Sequence, residues 1–273
     1  MSRRLWVVAG AVAALIVATV SGYSLGSGTA ADSATGLGAH SAAPSRSGVQ
    51  PSAATPSTPE PSRSPALVVT GGAAHGGPDG SINGTGSDDV ALTFDDGPDP
   101  VWTPKVLDLL SRYRVKATFC MIGSRAAEYP DLVARVVAEG HSLCNHSWNH
   151  EIDLGATGKE NIRDNLVRTN DAIHAAAPGA DIDFYRQPGG VWTDDGVAVA
   201  AELGMSGLHW SVDPRDWDKS VSATSIRHTL LDEVQPGGIV LLHDGAGHQR
   251  AGFSALRRIL GDLTSRFQLV ALA

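Results

Sequence analysis

The 273-residue chain has only two cysteines, Cys120 and Cys144, too few for a disulfide scaffold or a four-cysteine zinc module. It also lacks basic charge. Lys and Arg number 21 against 29 Asp and Glu, for a net charge of −8. Phosphate binding needs a basic face, so the balance argues against nucleic acid as a partner. Aromatic residues make up 5%. There is no HExxH pair, which disfavours a metalloprotease, and no internal repeat.

These scarcities are unevenly spread. Residues 26–88 contain no Phe, Trp or Tyr, and 47 of the 63 positions are Gly, Ser, Pro, Thr or Ala. Such a stretch cannot bury enough apolar surface to offset its chain entropy, so a disordered linker is expected over 26–88. Charges before residue 89 cancel, which leaves the whole net −8 on residues 89–273. An acidic domain argues against a polyanionic substrate and is neutral towards an uncharged sugar polymer.

Arg3 and Arg4 precede an apolar run from Leu5 to Val20, interrupted only by Gly10 and Thr19. A basic start followed by an apolar segment is an export signal. Extended through Leu25, the run reaches about the length that spans a bilayer. Residues 1–25 therefore read as a signal peptide cut near Gly28-Thr29-Ala30 or as an uncut anchor that ties the protein to the membrane. Either way the protein is exported, to the outer face of the membrane, the wall or the medium. The linker is then a spacer.

From residue 89, apolar runs of strand length alternate with helical patterns. Strands are expected at 90–94, 116–122, 141–145, 182–186, 206–210, 238–242 and 266–271. Helices are expected at 104–113, 130–139, 158–176, 193–203, 222–234 and 251–263, the first opened by Thr103 as N-cap and Pro104. This alternation means an α/β fold with a parallel sheet. Polar clusters follow five strands: Asp95-Asp96, His146, Arg186, Asp213 and His243. A barrel gathers all its strand ends at one mouth, whereas an open sheet offers only a crevice. Five contributing ends favour the barrel.

Asp95-Asp96 places two mutually repelling carboxylates at a strand end, where at least one needs a cation. His146 and His150 stand at i and i+4, a spacing that on a helical turn puts both imidazoles on one face. Two His and one carboxylate suit a catalytic divalent-metal site. Arg186 can hold a carboxylate bidentately, and the Gly189-Gly190 backbone can offer N–H groups to an oxyanion. His243, beside acids at a strand end, is a candidate proton carrier.

Taken in order, TFDDGP, HSWNH, RQPGG, DPRDW and LLHD resemble the motifs of the polysaccharide deacetylase family (NodB-homology, carbohydrate esterase family 4). The resemblance covers roughly 89–270. It implies a distorted (β/α)7 barrel and metal-dependent removal of acetyl groups from sugar polymers. Carried onto this sequence, it makes Asp95 the general base and Asp96, His146 and His150 the ligands of one divalent ion. Zinc suits that donor set, and cobalt or nickel would also fit. Arg186 would orient Asp95. His243 would be the general acid with Asp213 as its partner, and Leu241 and Trp217 would shape the acetyl pocket. The family usually carries an aromatic residue where this chain has Gly189. The backbone N–H survives there, and Trp192 is the nearby ring that could substitute.

The expected reaction is N-deacetylation of an acetylated polysaccharide built on N-acetylglucosamine, peptidoglycan or chitin-like. Acetyl-xylan O-deacetylation is the alternative at the same site. A catalytically dead carbohydrate-binding wall protein would have lost Asp95 or a ligand, and none is lost. Cys120 and Cys144 fall on consecutive strands, so a disulfide and two buried thiols are both open.

Overall fold

The computed structural model describes residues 73–245 and 249–273. The export segment and residues 26–72 of the expected linker lie outside these. Among the described residues no helix is long and apolar enough to cross a membrane.

Seven strands form one parallel sheet: β1 (Val90–Asp95), β2 (Thr118–Met121), β3 (Ser142–Asn145), β4 (Ile182–Tyr185), β5 (Ser206–Gly207), β6 (Ile239–His243) and β7 (Leu269–Val270). Their order is β5-β4-β3-β2-β1-β6, with β7 pairing the first residues of β1. Five fall within the runs expected from sequence, and β1 and β6 each run one residue further, to Asp95 and His243. All six residues of β1 are buried. Val90, Leu92 and Phe94 face the surrounding helices, while Ala91, Thr93 and Asp95 alternate towards the barrel interior.

The helices are α1 (Thr103–Tyr113), α2 (Gly123–Glu128), α3 (Pro130–Ala138), α4 (Lys159–Ala176), α5 (Asp194–Glu202), α6 (Ala223–Glu233) and α7 (Gln249–Arg266). In α4 the buried residues are Ile162, Leu166, Thr169 and Ile173, a stripe at helical spacing. The six-residue α2 escaped sequence reading because GSRAAE carries no apolar period. At α1 the expected cap is corrected. Thr103 is the first helical residue, and its hydroxyl donates to buried Asp244 instead of capping. Asp99 Oδ1 takes the N–H groups of Val101 and Trp102, at 2.8 and 2.9 Å.

Closure of the barrel is irregular. The fifth strand was expected over 206–210, but after Gly207 the chain changes partner. Leu208 N still donates to Tyr185 O of β4, whereas Ser211 N donates to Ile239 O of β6. Val212 pairs in parallel with Val240. One short segment thus bridges both edges of the sheet, which is the distortion of this (β/α)7 barrel.

The expected linker boundary at residue 88 is also corrected, because residues 73–88 lie on the barrel. Ala74 and Gly84 pair antiparallel, and Ile82 pairs with Leu208. Ile82 N donates to Gly207 O and accepts His209 N at its own carbonyl, both at 2.7 Å. Ile82 is the one large apolar residue between 73 and 88, and it is buried. An average over 63 residues hides a single anchor of this kind.

Cys120 and Cys144 are register partners on β2 and β3 and form a disulfide inside the barrel, beside Ala91, Phe184 and Ile239. Of the two readings left open by sequence, the structure shows the bond.

Candidate active site

Arg186 follows β4 and crosses the barrel interior, fully buried. Its NH1 donates to Thr93 Oγ1 at 2.8 Å and to Asp95 Oδ1 at 2.6 Å. Nε donates to Leu208 O at 2.9 Å and NH2 to His209 O at 3.2 Å. A buried guanidinium survives only if its donors are used. Here they tie β1 and β4 to the closing segment and fix one oxygen of Asp95. The other oxygen, Oδ2, lies 3.5 Å from His146 Nε2.

The Asp96, His146 and His150 ligand atoms all lie within 4.8 Å of one another. His146 Nε2 and His150 Nε2 are 3.4 and 3.5 Å from Asp96 Oδ1. Corners of a tetrahedral site with ligands at 2.0–2.1 Å stand about 3.4 Å apart. His146 Nδ1 meets the carbonyl of Arg186 at 2.8 Å. A carbonyl only accepts, so Nδ1 carries a proton and Nε2 is the nitrogen turned to the acids. Asp96 Oδ1 is buried without a hydrogen-bond partner among the described residues. Burial pushes the Asp96 carboxyl up, but contact with His146 and the charges of His146, His243 and His150 outweigh it and hold it at about 2. A buried carboxylate oxygen without a hydrogen-bond partner, 3.4 and 3.5 Å from two imidazole nitrogens, fits a divalent cation.

The local route to this triad differs from the expected helical turn. Residues 146–150 form a loop in which Ser147 (φ 63°) and His150 (φ 60°) are left-handed. The i, i+4 spacing brings the rings together, centroids 5.0 Å apart, by way of a coiled loop.

Across the mouth stands His243 at the end of β6. Its expected partner, Asp213, is corrected to Asp216. Asp216 Oδ1 accepts His243 Nδ1–H at 2.7 Å, and Oδ2 accepts the His243 backbone N–H at 3.0 Å. Burial pushes the His243 imidazole down, but the charge and hydrogen bond of Asp216, helped by Asp95 and Asp96, raise it to about 9. Arg215 is left-handed (φ 56°), and this turn brings Asp216 under the ring. Gly252 of α7 leaves the room, since a Cβ there would come within 2.6 Å of Asp216 Oδ2. Asp213 instead accepts Arg215 N at 2.7 Å and Trp217 Nε1 at 3.4 Å, so it braces the indole.

A cavity of about 310 Å³ connects these groups. Asp95, Asp96, His146, His150 and His243 line it together with Gly189, Leu241, Trp217 and Asp213. Arg186 lies beneath, in contact with Asp95. Gly190, whose backbone N–H was expected here, also lines the cavity; sequence reading missed Trp210 and Ile152 and gave Gln187 no role. It also pointed to the wrong ring. Trp192 packs edge-on to Tyr185 and donates to His209 Nδ1, whereas Trp210 reaches the cavity over Gly190. Trp210 stacks on its neighbour His209, centroids 4.1 Å apart. The WSVDPRDW run could have signalled it, because an indole three residues before the Asp213 turn must lie near the same mouth.

A parallel barrel whose mouth holds a two-His, one-carboxylate site between a clamped carboxylate and a carboxylate-bound imidazole defines a metal-dependent hydrolase. A polysaccharide deacetylase family profile matches residues 83–208. The chain is 46% identical over 163 residues to a chitooligosaccharide deacetylase of Sinorhizobium fredii, covering 60% of this chain and 75% of that protein. It is 37% identical over 176 residues to a peptidoglycan-N-acetylglucosamine deacetylase of Bacillus cereus, covering 64% and 81%. A crystallised peptidoglycan N-acetylglucosamine deacetylase, bound to a naphthyl N-oxidanyl-benzamide, superposes with a TM-score of 0.64. It is 35% identical, over 68% of this chain and 86% of the other. The chain belongs to the polysaccharide deacetylase family and is a hydrolase of carbon–nitrogen bonds.

Proposed function

We propose that the protein removes N-acetyl groups from N-acetylglucosamine units of a peptidoglycan or chitin-like polymer at the cell envelope. The observation that carries this reading is the pairing of two proton carriers across one cavity. Asp95 has one oxygen locked by Arg186 and the other open, and His243 has Nδ1 locked by Asp216 and Nε2 left for the substrate side. A divalent ion held by Asp96, His146 and His150, zinc by its donor set, would supply Lewis acidity at the acetyl oxygen and acidify a water.

The chain's own residues account for the remaining proton movements. Asp95 Oδ2 accepts a proton as water oxygen bonds to the acetyl carbon. The Gly189 N–H is assigned to the developing oxyanion. As the carbon–nitrogen bond breaks, His243 Nε2 gives its proton to the departing amine, and acetate and the free amino sugar leave. An amine is a poor leaving group, so an acid is essential there and less so for an ester. Leu241 and Trp217 enclose the acetyl methyl. The double arginine before an apolar run, together with a disulfide inside the barrel, supports export, with membrane attachment if the segment stays uncut.

The test is acetate release and product mass spectrometry on N-acetylglucosamine oligomers, peptidoglycan fragments and acetylated xylan. Loss of acetyl groups from the amino sugars is expected. Release from xylan alone would replace this reading with an O-acetyl esterase, and release from none would leave a binding protein.

A further inference from the structure

The loop that carries both imidazoles is shaped by side chains. Ser147 N donates to Asn145 Oδ1 at 2.9 Å and Trp148 N to Asn165 Oδ1 at 2.8 Å. Asn149 N donates to Glu151 Oε2 at 3.0 Å, and Glu151 N donates to Ser147 Oγ at 3.2 Å. Ser147 Oγ in turn donates to the same Glu151 Oε2 at 2.8 Å. Carbonyls are held from the other side, where the first N–H groups of α2 meet Ser147 O and Trp148 O, both at 2.9 Å. Between these supports the backbone takes its two left-handed residues, one of them the ligand His150. Such conformations persist only where surroundings over-determine them.

Asn145 and Asn165 act on the first half of the loop, next to His146, whose ring is already fixed by the Arg186 carbonyl. The second half, which sets His150, depends on Glu151. One oxygen atom receives both Ser147 Oγ–H and Asn149 N–H, closing the loop from residue 147 to residue 151 around His150. Glu151 lies outside the main cavity and touches none of the reacting groups. We propose that Glu151 is a positioning residue for the metal site, its carboxylate oxygen holding His150 in register with Asp96 and His146. This rests on the reading that those three residues hold a divalent ion.

The geometry distinguishes two ways Glu151 could act. If it works by placing an acceptor at the Oε2 position, an amide oxygen on a side chain of equal length does the same. If it works by adding negative charge near a cation, any carboxylate suffices. The experiment prepares the metal-free full chain and its Glu151→Ala, Glu151→Asp and Glu151→Gln variants. Zinc is titrated into each against a chromophoric chelator, and the metal-free melting temperature and the turnover at saturating zinc are measured alongside.

The expected pattern is a 10–100-fold weaker zinc Kd for Glu151→Ala, the range typical when a partner that orients a ligand is removed. Glu151→Asp, one methylene too short, should weaken likewise, and Glu151→Gln should stay within a few-fold of wild type. Turnover at saturating zinc should be nearly restored in all three, because the reacting groups are untouched. A weak Glu151→Gln beside a normal Glu151→Asp would overturn the positioning role in favour of charge. Unchanged zinc affinity in Glu151→Ala, with or without a lower melting temperature, would overturn it outright. Wild type that takes up no zinc, cobalt or nickel would instead overturn the metal assignment itself.

Discussion

Replacing Asp216 by Asn should separate the proton donor from everything else in the site. The carboxylate is buried, holds both the ring and the backbone of His243, and does not line the cavity. Its removal therefore leaves substrate contacts alone and acts on the imidazole's affinity for a proton. With Asp216 present that group titrates at about 9. Without it, burial pulls the value towards or below the ordinary 6.5. The sign is set by the role: an acid works only while protonated, so activity falls as pH rises through its pKa, and lowering the pKa moves the fall to lower pH. At pH 8 the protonated fraction drops from about nine-tenths to roughly three-hundredths, a loss of roughly 30-fold. The assay is kcat/KM against pH on an N-acetylglucosamine oligomer, with Asp213→Asn alongside and an activated acetyl ester as a second substrate. The alkaline limb should move down by about 2.5 pH units for Asp216→Asn on the amide. It should stay in place for Asp213→Asn, whose carboxylate braces Trp217. The ester, which needs no proton on its leaving group, should feel little of either change. An unmoved alkaline limb in Asp216→Asn, or one moved by Asp213→Asn instead, would refute the pairing.

Two other expectations concern the scaffold. Thiol titration of the denatured, unreduced protein should find no free thiol, and two would reject the Cys120–Cys144 bond; removing the bond should cost roughly 3.5 kcal/mol for a separation of 24 residues. His141 is buried, accepts Ala117 N at 3.1 Å and is lowered to about 4 by burial and then by the charges of Lys116 and Arg135. The unfolded chain thus binds the extra proton between pH 6.5 and 4, and the contribution of neutral His141, full above 6.5, should fade by up to roughly 3 kcal/mol as pH falls to 4. Urea unfolding of wild type and His141→Asn should converge over that window, and parallel pH profiles would refute it.

Legibility followed the physics of each feature. The strands were readable because a parallel barrel buries both faces, so β1 reads VALTF without a break and β6 reads IVLLH. Strand-end polar residues were readable because an Asp pair or a His there has no use in packing. The closing segment was not, because Leu208 to Val212 still carries apolar residues while its hydrogen bonds pass from β4 to β6. Residues 73–88 were not, because Ile82 is one side chain among many small ones and its fixation is mostly backbone pairing.

Misplaced partners share a deeper cause. Six non-glycine residues among those described have left-handed φ, and four of them, Asp96, Ser147, His150 and Arg215, sit in the loops of the candidate site. Each turns the chain away from the periodicity that makes a sequence readable. Arg215 exchanges Asp216 for Asp213 under His243, and Ser147 and His150 replace an expected helical face with a coiled loop. These conformations cost on the order of 1–3 kcal/mol each. They are offset by contacts from residues distant in sequence, such as Asn165 to Trp148 N and Arg186 O to His146. Motif spacing therefore reports which residues reach the mouth, since strand ends fix that. It does not report which of two nearby acids meets the histidine, because a single left-handed residue decides it.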